Sequence, residues 1–357
     1  MTGGERPKVF QVIECGGPGG TGAQVAAVCR TLDPARFDTT LVYNVRPGNP
    51  PADYEALAGV KAVRVPEMTR ELHPGLDLAA LGALVRLFRE RRPDVVHAHS
   101  SKAGVLARLA ARAAGVPKVF YSPRGYNFLM EDRSWATRYL YVWIERLASK
   151  VGTVAAVSES EAGLARRRVW TRRVVTVPDA YLGKPPEPPV AHEGLMVAAT
   201  GRLTYARHPE AFGRLARALK GKASFVWIGD GELRAGLEGV SVTGWLSSDE
   251  VAERLRRADV FVHFSRWEGL PNAVLEAMTH GLPVVASDVP GNRDLVKDGV
   301  SGLLARSEAE LAPAVGRLLD DAALRRSLGE AGRRLVAAEH SLKRLGERLS
   351  ELYLQEV

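Results

Sequence analysis

Four residues in the second half of the chain could act together on an anionic ligand that also carries hydroxyls. Glu268 and Glu276 stand eight apart in "SRWEGLPNAVLEAM", and Pro271 between them suits the first turn of a helix. A helix start there exposes backbone amides near Leu270, Pro271 (which itself contributes none) and Asn272, a place for a diphosphate or for sugar hydroxyls. Glu276 lies about 7–8 Å further along the axis at ~1.5 Å per residue, within reach of a ribose attached to the same diphosphate. Glu268, just ahead of the helix, would face hydroxyls of a sugar beyond the phosphates. Upstream, "ATGRLTYARHPEAF" sets Arg202 and Arg207 on a strand-to-helix turn, two cations able to neutralise a diphosphate leaving group. Each feature alone suits a surface salt bridge at least as well; in this order they form a set.

A second candidate lies near the N-terminus. In "ECGGPGGTGAQVA", residues 14–26, Gly17, Gly19 and Gly22 have the G-x-G-x-x-G spacing of a dinucleotide-binding turn. Such a site also needs an acidic residue at the end of the second strand to hold a ribose. The second strand here is "TTLVYNV", which offers Tyr43 or Asn44, and no Asp or Glu occurs between Asp38 and Asp53. The NAD reading fails at that requirement. What is left is a loop poor in side chains, which would let a ligand approach the backbone and a helix N-terminus.

These groups need a scaffold of buried strands. "KVFQVIE", "TTLVYNV", "KAVRVP", "DVVHAH", "KVFYS", "TVAAVS" and "RVVTVP" read as strands, with helical patterns between most of them. "PDAYLGKPPEPPVAHEG", residues 178–194, is proline-rich and reads as a linker. The alternation restarts with "LMVAAT", "ASFVWIG", "VSVTG", "DVFVHF" and "LPVVAS", and from about residue 308 the chain reads as helix to its end. The expectation is α/β: two doubly wound Rossmann-like domains facing across a cleft. Their bounds are residues 1–178, a linker at 179–194, and residues 195–340, with a last helix at 341–357 crossing back to the first domain. Leu342, Leu345, Leu349 and Leu352 give that helix an apolar stripe.

Composition narrows the function classes. The 357 residues fit two domains, and the longest run without a charged residue, 15–29, is too short to span a bilayer. "MTGGERPKVF" has no apolar signal core, which predicts a cytoplasmic protein. Two cysteines, Cys15 and Cys29, lack metal-type spacing and read as small buried apolar groups. Residues 1–178 hold 26 Lys and Arg against 16 Asp and Glu, a net of +10, while the rest of the chain nets −2. A basic half calls for an anionic partner. Nucleic acid fits poorly, with 7% aromatic residues and no recognised binding module.

The order of motifs resembles the retaining glycosyltransferases of family 4, bacterial surface-polysaccharide type, whose fold is GT-B. The resemblance spans nearly the whole chain. It rests on "VVHAHSSKAGVLARLAARAAGVPKVFYSPRGYNF", on "GRL" followed by a basic residue, and on "IGDGE", "VTGWLSSDE" and "SRWEGLPNAVLEAM". It implies transfer of a hexose or N-acetylhexosamine from a nucleotide sugar, with uridine the likelier base, to a lipid-linked or other saccharide. Arg202 and Arg207, beside Gly201, would hold the diphosphate, and Arg207 stands where the family usually has lysine. Glu276 would hold the ribose. Glu268 would bind the donor sugar, with Gly269 and the Leu270 backbone close by. Gly244 and Trp245 would border the base, and Gly17, Gly19 and Gly20 would reach the donor from the first domain. Arg124 replaces a histidine common among relatives and would supply a cation to the phosphates or the acceptor. His99 and Lys102 are candidates for the acceptor side.

No cofactor is implied, since the nucleotide sugar is a substrate, and no D-x-D occurs to hold a metal. Arg166, Arg167, Arg168, Arg172 and Arg173 surround Trp170, so that segment reads either as a solvated helix end or as a contact for an anionic membrane surface. A lipid-linked acceptor favours the membrane, on its inner face. Two other readings stay open: a sugar-nucleotide epimerase of the same fold, and a non-catalytic sugar-nucleotide-binding protein.

Overall fold

Seven parallel strands form the first sheet: β1 Lys8–Gly16, β2 Asp38–Val45, β3 Val60–Arg64, β4 Val95–His99, β5 Lys118–Ser122, β6 Thr153–Ala156 and β7 Val174–Thr176. Their spatial order is β3-β2-β1-β4-β5-β6-β7. Six parallel strands form the second: β8 Met196–Thr200, β9 Ser224–Ile228, β10 Ser241–Val242, β11 Val260–His263, β12 Val284–Ser287 and β13 Leu303–Ala305, in the order β10-β9-β8-β11-β12-β13. The structure is a computed structural model that describes residues 5–16, 20–45, 54–184, 186–235 and 237–355. By contacts the chain divides into two units, one of residues 1–129, 133–182 and 342–357, the other of residues 130–132 and 183–341. Asp179 and Ala180, read from sequence as linker, are buried in the first unit.

Period-two alternation explains why helices cover both faces of the first sheet. Phe10 and Val12 of β1 and Val96 and Ala98 of β4 join a core with Ala80, Leu84 and Phe88 of helix Pro74–Arg91 and Ala103 and Ala107 of helix Ser101–Ala114. Val9 and Val95 face the other way, into a core with Val28 of helix Gly20–Thr31 and Leu345, Leu349 and Tyr353 of helix Leu342–Leu354. The last helix therefore packs through Leu345, Leu349 and Tyr353, while Leu342, part of the expected leucine stripe, is exposed. Gly346 sits against the end of helix Gly20–Thr31; a β-carbon there would meet the Thr31 carbonyl oxygen at 2.8 Å.

That second face also carries polar residues, and they explain the docking of the last helix. Gln11, His97, His99 and Ser122 are all buried. The Tyr353 hydroxyl closes on them, 2.6 Å from His97 Nδ1 and accepting from Gln11 Nε2 at 3.0 Å. His97 Nε2 lies 2.9 Å from Ser122 Oγ. Burial, reinforced by the charge of Arg124, holds the His97 imidazole down to about 3, so it is neutral.

The tail is three helices rather than one run: Glu308–Asp320 and Ala322–Glu339 in the second unit, and Leu342–Leu354 in the first. Asp321 ends the first and caps the second, its side chain accepting from the Leu324 amide at 2.9 Å. Among the described residues, no helix is long and apolar enough to cross a membrane. In each sheet the strand order reverses beside the first strand, at β1/β4 and at β8/β11. Ligands of doubly wound sheets gather outside the carboxyl ends of strands at that reversal.

Candidate functional site

At the β8/β11 reversal, two strand ends deliver the charged residues to one place. The chain leaves β8 through Gly201 at φ +124°, a conformation that suits glycine. The Leu203 amide then donates to the Asp230 carbonyl at 2.9 Å. Gly231 of "IGDGE" allows this approach, because a β-carbon on it would meet the Leu203 carbonyl oxygen at 2.5 Å. A single helical turn, Tyr205–Arg207, follows. Arg266, beyond β11, pins it: its amide donates to the Ala206 carbonyl at 2.8 Å, and its guanidinium lies 4.1 Å from the centre of the Tyr205 ring.

The result is a cluster of four side chains. Arg207 forms an ion pair with Glu268, and its Nη1 lies 2.8 Å from His263 Nε2 and 3.4 Å from Ser265 Oγ. His263 Nε2 is in turn 2.9 Å from Glu268 Oε1 and 3.1 Å from Ser265 Oγ. One nitrogen meets all three neighbours, so it donates to Glu268 in one tautomer and accepts from Arg207 or Ser265 in the other. Burial favours the neutral Glu268 carboxyl, but Arg207 and the hydrogen bonds of His263 and Ser265 outweigh it and hold the group down to about 2. Glu268 is thus an ionised acceptor for hydroxyl groups.

Glu276 has the opposite surroundings. It lies on helix Asn272–Thr279, whose neighbouring Val274, Leu275, Ala277 and Met278 are buried. Burial pushes its carboxyl up to about 7. Among the described residues no side chain pairs with it. The helix begins one residue later than its sequence suggests: Pro271 is the extended residue before it, and its carbonyl accepts from the Val274 amide at 3.0 Å.

Arg202 is exposed on the turn after β8, its guanidinium carbon 5.7 Å from the centre of the exposed Trp245 ring. Among the described residues it has no acidic partner. Gly244, at φ +79°, bridges to Gly229 and so sets Trp245 beside the β9 exit. Gly269, Leu270 and Asn272 are half-buried and follow Glu268 along the loop.

Four supporting residues were not singled out by the sequence reading. His263 and Ser265 complete the cluster; their signal is a polar residue closing an apolar strand with a hydroxyl two positions on. Ser287, at the end of β12, donates to the Ser265 carbonyl at 2.6 Å and receives Asn292 Nδ2 at 3.0 Å. Gly291, at φ +86°, lies against the loop of Glu268: a β-carbon there would meet the Gly269 carbonyl oxygen at 2.4 Å.

In the first unit the structure places several candidates otherwise than expected. Gly17 and Gly19 lie outside the described residues, and Gly20 opens helix Gly20–Thr31. His99 is fully buried, with Nε2 2.8 Å from Gln11 Oε1. Lys102 is half-buried, ion-paired with Asp77 and donating to the Glu71 carbonyl, so its charge is neutralised internally. Arg124, left-handed at φ +54°, is buried in an ion pair with Asp179 and donates to His99 Nδ1 at 3.4 Å. Its guanidinium is already committed to a carboxylate. Arg166, Arg167, Arg168, Arg172 and Arg173 are all exposed, as is Trp170.

Comparison with known proteins decides what the scaffold is. Residues 196–321 match the family described as Glycosyl transferases group 1, and residues 19–180 match the Glycosyl transferase 4-like domain. The chain belongs to the group 1 glycosyltransferases. This glycosyltransferase is 28% identical over 355 residues to the UDP-Gal:alpha-D-GlcNAc-diphosphoundecaprenol alpha-1,3-galactosyltransferase of Escherichia coli, covering 90% of each chain. It is 32% identical over 343 residues to the GDP-mannose-dependent alpha-mannosyltransferase of Mycolicibacterium smegmatis, covering 87% of this chain and 88% of the relative. Its fold is shared with sucrose-phosphate synthase of Thermosynechococcus elongatus (TM-score 0.82, 19% identity, 98% of each chain). It is shared too with the Anabaena protein HepE in complex with UDP and glucose (TM-score 0.77, 16% identity, 97% of this chain and 99% of that one). The fold class is that of the GT-B glycosyltransferases, two Rossmann-like units with parallel sheets of seven and six strands.

Proposed function

We propose that this glycosyltransferase moves a hexose or N-acetylhexosamine from a UDP-sugar to a saccharide carried on a lipid diphosphate, with retention at the anomeric carbon. The observation that carries the reading is the cluster at the β8/β11 reversal, a guanidinium at Arg207 paired with an ionised acid at Glu268, together with Glu276 on the following helix, an acid with no side-chain partner among the described residues. The names of relatives supply the substrate classes. The Escherichia coli relative takes UDP-galactose and an acceptor on diphosphoundecaprenol. The mycobacterial relative is named for GDP-mannose, so the base is the first point to test.

The chemistry follows from the charges. The bond between the anomeric carbon and the diphosphate oxygen breaks, and the acceptor hydroxyl oxygen bonds to that carbon. The acceptor proton passes to the leaving phosphate on the same face. Arg202 and Arg207 stabilise the negative charge that develops on the diphosphate, without a carboxylate-held divalent cation. Glu268 accepts from sugar hydroxyls and Glu276 from the ribose. Gly201, Gly244, Trp245, Gly269, Leu270, Pro271 and Asn272 line the donor's path between them.

A lipid-linked acceptor brings the enzyme to a bilayer surface. The exposed arginines Arg166, Arg167, Arg168, Arg172 and Arg173 beside Trp170 suit the anionic inner face of a membrane, reached from the cytoplasm. The deciding assay measures release of nucleoside diphosphate from UDP-, GDP- and ADP-sugars with and without a lipid-diphosphate saccharide, in buffer containing EDTA. Acceptor-dependent UDP release in EDTA supports the proposal. Acceptor-independent conversion of the sugar, or no turnover with any pair, contradicts it.

A further inference from the structure

The arginine segment does not stand alone on its surface. Helix Trp135–Ala148 buries Val142, Glu145 and Ala148 and turns a row of large apolar residues outward. Trp135, Tyr139, Trp143 and Leu147 recur every fourth position, and Leu140 lies beside them; all five are exposed, Trp135 at 80%. Residues at that spacing share one helix face. Few soluble surfaces leave such a row uncovered without a partner.

The row joins the arginines through one packed junction. The Trp143 and Trp170 rings meet edge to face with centroids 6.2 Å apart. The Arg146 guanidinium lies 3.2 Å from the centre of the Trp170 ring and 4.8 Å from that of Trp143. Arg146 Nε also donates to the Arg168 carbonyl at 2.9 Å. The backbone is shaped to hold this junction: a π-helical turn, Ala165–Val169, carries Arg166, Arg167 and Arg168, and Trp170 follows in the left-handed region at φ +62°. A bulky residue at positive φ is strained and persists where its surroundings over-determine it.

We propose that the outward face of helix Trp135–Ala148 inserts into the interfacial zone of an anionic bilayer while the adjoining arginines bind its headgroups. This rests on the reading of the arginine segment given above and adds an apolar, salt-resistant component to it. Tryptophan and tyrosine with flanking cations are the side chains suited to the boundary between acyl chain and headgroup. The charge complement favours an anionic lipid surface over a second copy of this basic unit.

The test uses the whole protein with vesicles of phosphatidylcholine alone and of phosphatidylcholine with phosphatidylglycerol, at low and at high salt. One variant carries Trp135→Ser, Leu140→Ser and Leu147→Ser; another carries Arg166→Gln, Arg167→Gln and Arg168→Gln. Thermal melts confirm that both fold. The parent is expected to bind the anionic vesicles, to keep a fraction bound at high salt, and to have its tryptophan emission quenched by brominated acyl chains. The serine variant should lose the salt-resistant fraction and bind about tenfold more weakly, and the glutamine variant should lose the salt-sensitive part. If salt removes all binding and the serine variant binds like the parent, insertion is wrong and the arginine contact stands. If no vesicle binds, both are wrong. A concentration-dependent dimer abolished by the serine substitutions, with no vesicle binding, would make this face a self-interface and overturn the proposal.

Discussion

Arg207 and Glu268 form an ion pair across the point where the strand order of the second sheet reverses, one on the turn after β8, the other on the loop after β11. Each neutralises the other. On the proposed reading, a donor diphosphate would compete with Glu268 for the guanidinium and leave the carboxylate to the sugar hydroxyls.

Arg207→Ala should lower kcat by about 10²-fold, the usual loss for one preorganised donor at a developing charge. Arg207→Lys should recover most of that, to within about tenfold, because it restores the charge without the planar fork. Steady-state kinetics on the two variants checks both. Equal losses would show that the fork, not the charge, matters.

Arg202 should be as important as Arg207 despite its exposure. Arg202→Ala is expected to reduce turnover by at least about tenfold with an unchanged melting temperature, since no acidic partner depends on it among the described residues. A near-normal rate would remove it from the donor site.

Glu276 gives a pH signature. Its carboxyl is pushed up to about 7 by burial, so it is largely protonated below that pH and ionised above it. Ribose hydroxyls bind the ionised form, and donor KM should fall as pH rises from about 6 to about 8. Stability of the protein measured without donor should move oppositely: the native state holds the proton more tightly than the unfolded chain, so this contribution is present below the ordinary carboxylate range and is lost as pH rises toward 7. Glu276→Gln should flatten both profiles and weaken donor binding.

Gly291→Ala should destabilise the site from outside it. A β-carbon collides with the Gly269 carbonyl and the backbone is left-handed, so the cost is about 1–3 kcal/mol with a raised donor KM. Denaturant titration together with kinetics reads both effects.

Tyr353→Phe removes the hydroxyl shared by His97 and Gln11 and should cost about 1–3 kcal/mol, because buried polar groups lose their partner. His97 adds an acid limit. Its imidazole is held down to about 3, so its contribution is complete above the ordinary histidine range and is lost as pH falls from about 6.5 toward 3. Melting curves across that range test it.

The strands were legible in the sequence because parallel, doubly covered strands are short apolar runs; "KVFYS" matches β5 Lys118–Ser122 residue for residue. Leu303–Ala305, too short to stand out, was not read. Glu268, Glu276 and Arg207 were legible from type and spacing. Three first-unit candidates have partners inside the fold. His99, Lys102 and Arg124 look like free polar groups, but their partners Gln11, Asp77 and Asp179 lie far off in sequence. His263 and Ser265 were hidden for the converse reason: they join the site only because β11 lies next to β8.

The most direct test is a crystal soaked with a non-hydrolysable UDP-sugar. The account predicts the diphosphate within hydrogen-bonding distance of Arg202 and Arg207, the ribose hydroxyls on Glu276 and the hexose on Glu268. A donor lodged elsewhere, or bound with Glu276 turned away from its ribose, would contradict it.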